Sequence, residues 1–126
     1  MDKPVALNLE MIVTIVDRGV GEDVNEYSKQ AGANGGTILH GKGTSTKEKN
    51  RFFGLEIEPE KDIVLTLVPD TLTATVMDAI GKGLKIDQPG NGICFSIDID
   101  KVMGITAINS YRKVVDMETF LDNDKD

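Results

Sequence analysis

Apolar and polar positions recur along the chain with two different periods, and these periods divide it into predicted strands and helices. Over residues 7–16 every odd position is apolar, whereas the even positions begin polar and become apolar, which predicts a strand. Residues 18–32 carry apolar side chains at helical spacing. Glu22 and Asp23 fall in the expected first turn and Gly32 falls just past the end, so this segment is predicted to be a helix.

Two further strands are predicted in the middle of the chain. Residues 37–39 form a short run of β-branched and apolar residues with glycines on both sides, which favours a strand. Residues 43–54 are small or charged and show no sustained period, so they are expected to form an exposed loop. A third strand is predicted to begin at Ile57, to bend at Pro59 and to continue over residues 62–68.

A second helix and a fourth strand complete the pattern. Asp70 is placed to cap a helix over residues 70–84, and the turn-rich residues 85–92 lead to an alternating strand over 93–99. The order strand, helix, strand, strand, helix, strand is that of an α+β, ferredoxin-like βαββαβ sandwich. The fold expected is therefore an antiparallel four-stranded sheet with two helices on one face.

The other face of this sheet is predicted to be too apolar to remain in water. We expect the helices to cover one alternating set of side chains and the opposite face to expose Ile12, Val16, Val64 and Val68. This pattern predicts an oligomer in which the sheets face one another. The domain is expected to span residues 8–105.

Residues 106–126 are interpreted as a C-terminal extension that ends in a partly disordered acidic tail. An added edge strand or a docking helix at 116–121 is the alternative.

Length and composition fit a single intracellular domain. The chain has 126 residues, of which 40% are hydrophobic, and no apolar run is long enough to cross a bilayer. The first residues lack the basic and apolar blocks of a secretory signal, and Cys94 has no partner for an internal disulfide. A cytoplasmic protein without membrane insertion is therefore expected. Cys94 is interpreted as an unreactive core or partly buried strand residue.

The charge of the chain argues against nucleic-acid binding. The net charge is −7, and the densest basic segment is KEKNR at 47–51. A negative field repels phosphodiester backbones. Only 5% of the residues are aromatic and tryptophan is absent, so base stacking is also disfavoured.

One glycine-rich stretch resembles a phosphate-binding P-loop in its spacing but differs from it in residue types and in the structure expected around it. Gly36, Gly41 and Lys42 have the P-loop spacing, but Gly43 stands where a Ser or Thr would hold magnesium. The residues between the two glycines favour an extended chain, and no helical pattern follows Lys42. A nucleoside triphosphatase of this kind is therefore rejected.

Three motifs resemble those of the PII family of nitrogen-regulatory signalling proteins. They are GANGGTILHGKGT at 32–44, EKDIVLTLVPD at 60–70 and QPGNGICF at 88–95. The resemblance implies a homotrimer of ferredoxin-like subunits that binds an adenine nucleotide, ATP or ADP, in the clefts between subunits. It also implies that the loop after the second strand docks onto a protein partner, which is a transporter, an enzyme or a regulator.

The resemblance also implies which residues would form each site. The ligand-binding residues would be Thr37 near the base, Gly43 and Thr44 at the start of the signalling loop, Lys61 at the start of strand three, and Gly90, Asn91 and Gly92 in a phosphate-cradling loop. The partner-binding loop would present Lys47, Arg51, Phe52 and Phe53.

Several positions depart from the family pattern. Asn91 stands where the family usually has Asp, Ile93 where it has Lys, and Gly104 where it has Arg. Each lost cation removes a charge-assisted contact of about 1.5 to 3 kcal/mol, so a weakened, changed or absent nucleotide ligand is expected. The loop is shorter than usual and has no Tyr between Gly43 and Lys61, which excludes nucleotidylation of a loop tyrosine.

The remaining polar residues give little support for catalysis or metal binding. His40 is the only histidine and is interpreted first as a surface or hydrogen-bonded residue. The pairs Asp98 with Asp100 and Glu56 with Glu58 are interpreted as solvated strand positions. The leading hypothesis is a small-molecule sensor, with a trimeric protein-binding adaptor as the alternative and an enzyme of the same fold third.

Overall fold

The computed structural model describes residues 8–43, 50–52, 55–57 and 59–104, with residues 50–52 and 55–57 described by their backbone. Strands and helices follow one another in the order strand, helix, four strands, helix, strand. Their bounds are β1 (Leu9–Asp17), α1 (Gly21–Gln30), β2 (Thr37–Lys42), β3 (Asn50–Phe52), β4 (Leu55–Ile57), β5 (Glu60–Pro69), α2 (Asp70–Leu84) and β6 (Ile93–Ile99).

The principal sheet has four antiparallel strands in the order β2-β5-β1-β6. Val13 of β1 lies opposite Leu65 of β5 on one side and opposite Phe95 of β6 on the other. β2 and β6 form the two edges. With α1 and α2 on one face, this arrangement confirms the predicted ferredoxin-like fold.

The core lies between the helices and one face of the sheet. It contains Ile12, Val16, Val64 and Val68, each no more than 1% exposed, packed against helix residues that include Val24, Val76 and Ile80. The expectation that these four strand residues lie on the open face was therefore wrong. Both alternating sets of β1 are apolar over residues 12–16, so alternation separates the two faces without indicating which one the helices cover.

The open face of the sheet carries the other alternating set, which is also apolar. Ile93 is 55% exposed and Ile97 is 50% exposed, and Leu39 and Phe95 are exposed beside them. Val13 of β1 lies opposite Phe95, and Ile63 of β5 lies opposite Leu39. Side chains of the two central strands therefore lie between these exposed residues. The open face is therefore apolar, as predicted, but the apolar residues on it are not the four that were expected.

The two helices pack closely because of one glycine. A Cβ atom at Gly83 of α2 would lie 2.6 Å from the ring of Tyr27 of α1, so that ring rests on a surface without a side chain. α1 ends at Gln30, and Gly32 follows with φ +109, the left-handed geometry that glycine adopts at low cost.

Three local predictions needed correction. Residues 50–52 of the predicted loop form β3, and Ile57 belongs to β4, where it pairs with Asn50 in a separate two-stranded sheet. Backbone hydrogen bonding within this hairpin overrides the lack of a periodic pattern. Asp70 does not cap α2, because Pro69 occupies the cap position and no side-chain cap hydrogen bond forms. The C-terminal extension lies outside the described residues.

Candidate functional site

Three of the predicted ligand residues lie on β2 and β5, with Thr37 at one end of β2 and with Gly43 and Lys61 at the other end. Thr37 is exposed at the start of β2, and Gly43 follows the end of β2, where its N–H donates to the carbonyl of Pro59 at 3.1 Å. Lys61 of β5 lies beside Gly43, and its Nζ is 2.7 Å from Oδ1 of Asp17. The Lys61 side chain is only 15% exposed, so its charge is largely engaged by Asp17.

The other predicted ligand residues form the loop between α2 and β6. Asn91 donates its side-chain amide to the carbonyls of Leu84 and Lys85, at 3.1 and 3.0 Å, and so satisfies the carboxyl end of α2. Gly92 has φ +136, and a Cβ there would lie 2.8 Å from the carbonyl oxygen of Ile15. Gly90 also has positive φ, at +86. These residues therefore have structural roles that hold whether or not a ligand binds.

Thr37 and Gly43 lie at the β2 edge of the sheet and the loop of Gly90 to Gly92 precedes β6 at the other edge, whereas Lys61 lies on the inner strand β5. Three spacings of about 4.8 Å separate β2 from β6, which is roughly 14 Å. A single subunit thus keeps Thr37 and Gly43 apart from the loop of Gly90 to Gly92 by the width of the sheet. A site that used both groups would have to combine the β2 edge of one copy with the β6 edge of another.

How His40 is held could not be predicted from the sequence. Its Nδ1 lies 2.9 Å from Oδ1 of Asp62, which faces it across β2 and β5. The His40 side chain is 65% exposed, whereas that of Asp62 is 5% exposed. Oδ2 of Asp62 accepts the N–H groups of Gly19 and Gly21 at 2.9 and 3.0 Å. One carboxylate therefore joins β2, β5 and the turn that leads into α1.

Asp62 is held in its ionised form. Burial acts most strongly and raises the pKa of Asp62, but hydrogen bonds from Gly21, Gly19 and His40 together outweigh burial and bring the pKa below its ordinary value. The amino end of α1 is therefore occupied by an anion of the chain itself. It does not offer those N–H groups to a phosphate.

Ion pairs surround the same end of the sheet. Arg18, in the turn after β1, is paired with Glu60 at the start of β5. The hydrogen bond from Arg18, followed by its charge, lowers the pKa of Glu60. Together with the pair between Lys61 and Asp17, this contact pairs each of these four charges with one of opposite sign where β1 ends and β5 begins.

A cavity of about 510 Å³ lies at the opposite end of the sheet, away from the predicted ligand residues. Its lining includes the carboxylates of Glu10, Asp70, Asp98 and Asp100. Such a concentration of negative charge disfavours a nucleotide. In the described parts of the chain, no group of three or more His, Cys, Asp or Glu side chains is arranged to hold a metal ion.

Several predicted residues cannot be placed. Thr44, Lys47 and Phe53 lie outside the described residues, and Arg51 and Phe52 are described only as backbone in β3. Their proposed roles remain predictions. The hydroxyl of Thr14 lies 3.5 Å from the half-buried Cys94 thiol, and burial raises the pKa of Cys94, which disfavours a reactive thiolate.

Comparison with known proteins identifies the fold. No protein-family model and no curated protein sequence matches the chain. Among solved structures, CPII from Thiomonas intermedia K12 bound to ADP, AMP and acetate superposes with a TM-score of 0.58 at 18% identity, covering 84% of this chain and 97% of that one. The B. subtilis GlnK-ATP complex gives a TM-score of 0.57 at 19% identity, with coverages of 79% and 88%. This chain has the PII fold.

A third structure, Arabidopsis thaliana PII bound to citrate, agrees, with a TM-score of 0.57 at 16% identity and coverages of 79% and 82%. The resemblance drawn from the three sequence motifs is thus confirmed at the level of the PII fold. Within the described ranges, no helix is both long and apolar enough to span a membrane.

Proposed function

We propose that the chain is a PII-like signalling protein that binds a small molecule, an adenine nucleotide, in clefts between the subunits of a homotrimer. The observation that carries this proposal is the separation of Thr37 and Gly43, at the β2 edge of the sheet, from the loop of Gly90 to Gly92 at the β6 edge. Thr37, Gly43 and Lys61 lie along β2 and β5, and the Gly90 to Gly92 loop precedes β6. A neighbouring copy is the simplest source of the missing half of each site.

The open face of the sheet supports the trimer. Leu39, Ile93, Phe95 and Ile97 are all more than a third exposed on a face that has no layer covering it within the described chain. Burying apolar surface contributes about 25 cal/mol per Å², so contact between such faces is strongly favourable. Three copies with their sheets turned inward would bury this face and bring the edge of one sheet next to the edge of another.

Two observations support a nucleotide ligand. Structures of the same fold hold adenine nucleotides, namely the CPII complex with ADP and AMP and the GlnK complex with ATP. The loop before β6 has left-handed glycines at positions 90 and 92, which turn backbone N–H groups in a way that suits an anion. Because Lys61 is paired with Asp17, the affinity for ATP is expected to be modest.

Regulation would act through the chain that follows β2. A ligand that binds more tightly to one conformation of residues 43–56 than to another shifts the population toward the first. The favoured conformation would dock onto a protein partner, in the control of nitrogen or carbon metabolism in the cytoplasm. This mechanism uses binding alone and requires no catalytic residue.

Calorimetric titration with ATP and ADP tests the proposal, with Thr37→Ala as the site variant and Thr71→Ala as its matched control. Both threonines are exposed, but Thr71 lies on α2. We expect saturable binding of one nucleotide per subunit, weakened by Thr37→Ala and unchanged by Thr71→Ala. Equal affinity of both variants would remove Thr37 from the site.

A trimeric adaptor without a small-molecule ligand is the second candidate. The pairing of Arg18 with Glu60 and of Lys61 with Asp17, and the net charge of −7, favour it, because both reduce the attraction for a polyanion. Absence of heat on titration with all nucleotides, from a protein that still sediments as a trimer, would establish this alternative.

A further inference from the structure

Lys61 is the one cation that the principal sheet places on its open face. All four strands of that sheet are described in full, and the cations in them are Lys42 and Lys61. Lys42 lies opposite Glu60, two residues from the buried Asp62, and so belongs to the helix-covered face. Lys61 lies opposite Asp17 in the register of β1 against β5, on the other face.

The register of the two central strands brings a carboxylate directly to Lys61. Nζ of Lys61 lies 2.7 Å from Oδ1 of Asp17. The Lys61 side chain is 15% exposed, whereas that of Asp17 is 64% exposed. The ammonium group is therefore partly shielded from water and already forms a charge-assisted hydrogen bond. An incoming anion has to compete with Asp17 for it.

Lys61 also lies on the same face as the residues proposed to bind the ligand. A Cβ atom at Gly43 would lie 3.4 Å from Cγ of Lys61, so the Lys61 side chain runs beside the chain that leaves β2. Thr37 pairs with Leu65, which is four residues along β5 from Lys61, or about 14 Å. An extended nucleotide with its base at Thr37 would therefore reach the Lys61 end of β2 with its phosphates.

The loop of Gly90 to Gly92 contributes no side-chain cation to such a ligand. Both amide hydrogens of Asn91 are directed to the carbonyls of Leu84 and Lys85, at 3.1 and 3.0 Å. Ile93, which follows this loop, is apolar and 55% exposed. An anion at this loop would meet uncharged backbone N–H groups, so the charge balance of the site depends on Lys61.

We propose that Asp17 is a specificity-determining residue, which neutralises Lys61 and so restricts the site to a ligand of low negative charge, a nucleoside or a nucleoside monophosphate. This inference rests on the proposed function, which brings the ligand to the cleft. Each further phosphate adds negative charge beside a carboxylate without gaining a free ammonium group. The ion pair thus selects against ADP and ATP.

Calorimetry with adenosine, AMP, ADP and ATP, without added metal ion, tests this selection in the wild-type protein. Wild type should bind AMP at least as tightly as it binds ATP. An affinity for ATP more than about tenfold above that for AMP would overturn the inference and leave the proposed function standing.

Asp17→Asn removes the competing charge but keeps the shape of the side chain. Because Lys61 can then donate to a phosphate, we expect the affinity for ATP to rise about tenfold and that for adenosine to change less than about twofold. Glu60→Gln is the matched control, since it removes the same charge from the neighbouring ion pair with Arg18. An equal rise in both variants would indicate a general effect of net charge and contradict the role of Asp17.

The double variant Asp17→Asn/Lys61→Gln determines whether the gain acts through Lys61. The loss of the ammonium group should cancel the gain in ATP affinity, because the two residues act as one pair. A gain that persists in the double variant would contradict the proposal. If wild type binds none of the four ligands, the inference and the proposed function both fail.

Discussion

Removal of the Asp62 carboxylate is expected to destabilise the fold more than removal of any surface carboxylate. Asp62 is 4% exposed and accepts three hydrogen bonds, from Gly19, Gly21 and His40. Asp62→Ala leaves the two backbone N–H groups without an acceptor at the amino end of α1. Each unpaired group costs about 1 to 3 kcal/mol, so for the two groups we expect a loss of about 2 to 6 kcal/mol in the free energy of unfolding.

Asp62→Asn removes the charge of this side chain but keeps its shape. The amide can still accept from the glycine N–H groups, but hydrogen bonds to a charged acceptor contribute about 1.5 to 3 kcal/mol and neutral ones about 0.5 to 1.5 kcal/mol. Relief of the desolvation cost offsets part of this difference. We therefore expect an intermediate loss of about 1 to 3 kcal/mol.

The pH dependence of stability provides an independent readout of Asp62. Because the pKa of Asp62 is lower in the folded than in the unfolded chain, its contribution is present above the unfolded pKa of about 4 and is lost as pH falls through the folded pKa. Wild type should therefore lose stability over this acid range more steeply than Asp62→Asn.

Urea unfolding followed by circular dichroism, at one fixed subunit concentration, measures both effects. Asp78→Asn is the matched control, since Asp78 is 62% exposed and forms an exposed ion pair with Lys82 on α2. That change should alter stability by less than about 0.5 kcal/mol. If Asp62→Ala and Asp78→Asn unfold at the same urea concentration, the account of the Asp62 contacts is refuted.

Three further substitutions test packing and assembly. Gly83→Ala adds a Cβ that lies 2.6 Å from the Tyr27 ring, so urea unfolding should show a loss of about 1 to 3 kcal/mol. Gly92→Ala combines φ +136 with a 2.8 Å approach to a β1 carbonyl and should lower the thermal midpoint, whereas a native midpoint would contradict the close approach. Phe95→Asp places a charge on the open face and should shift light-scattering mass toward one subunit, whereas Ser96→Asp, on the other face of β6, should not.

The order of elements could be predicted from the sequence because each element carries a local signal. Alternation marked β1 and β6, helical spacing marked α1 and α2, and Gly32 marked the end of α1. Which face the helices cover could not be predicted in this way. Both sets of alternating positions are apolar, and the choice depends on how the helices pack across the whole sheet.

Contacts between strands that are distant in sequence explain the features that were not predicted. The pairing of His40 with Asp62 follows from the register of β2 against β5, which a single sequence does not show. A polar residue at the start of the apolar run 62–68 was the only available signal, because a buried polar group in a strand requires partners. The hairpin of β3 and β4 likewise depends on pairing and not on periodicity.

Sedimentation equilibrium of the untagged protein tests the central claim most directly, because assembly through the open face underlies the cleft, the ligand site and the role of both sheet edges. The account predicts a single species of three times the subunit mass of 13.7 kDa, which persists on dilution. A folded species of one subunit mass across the same concentration range would contradict it.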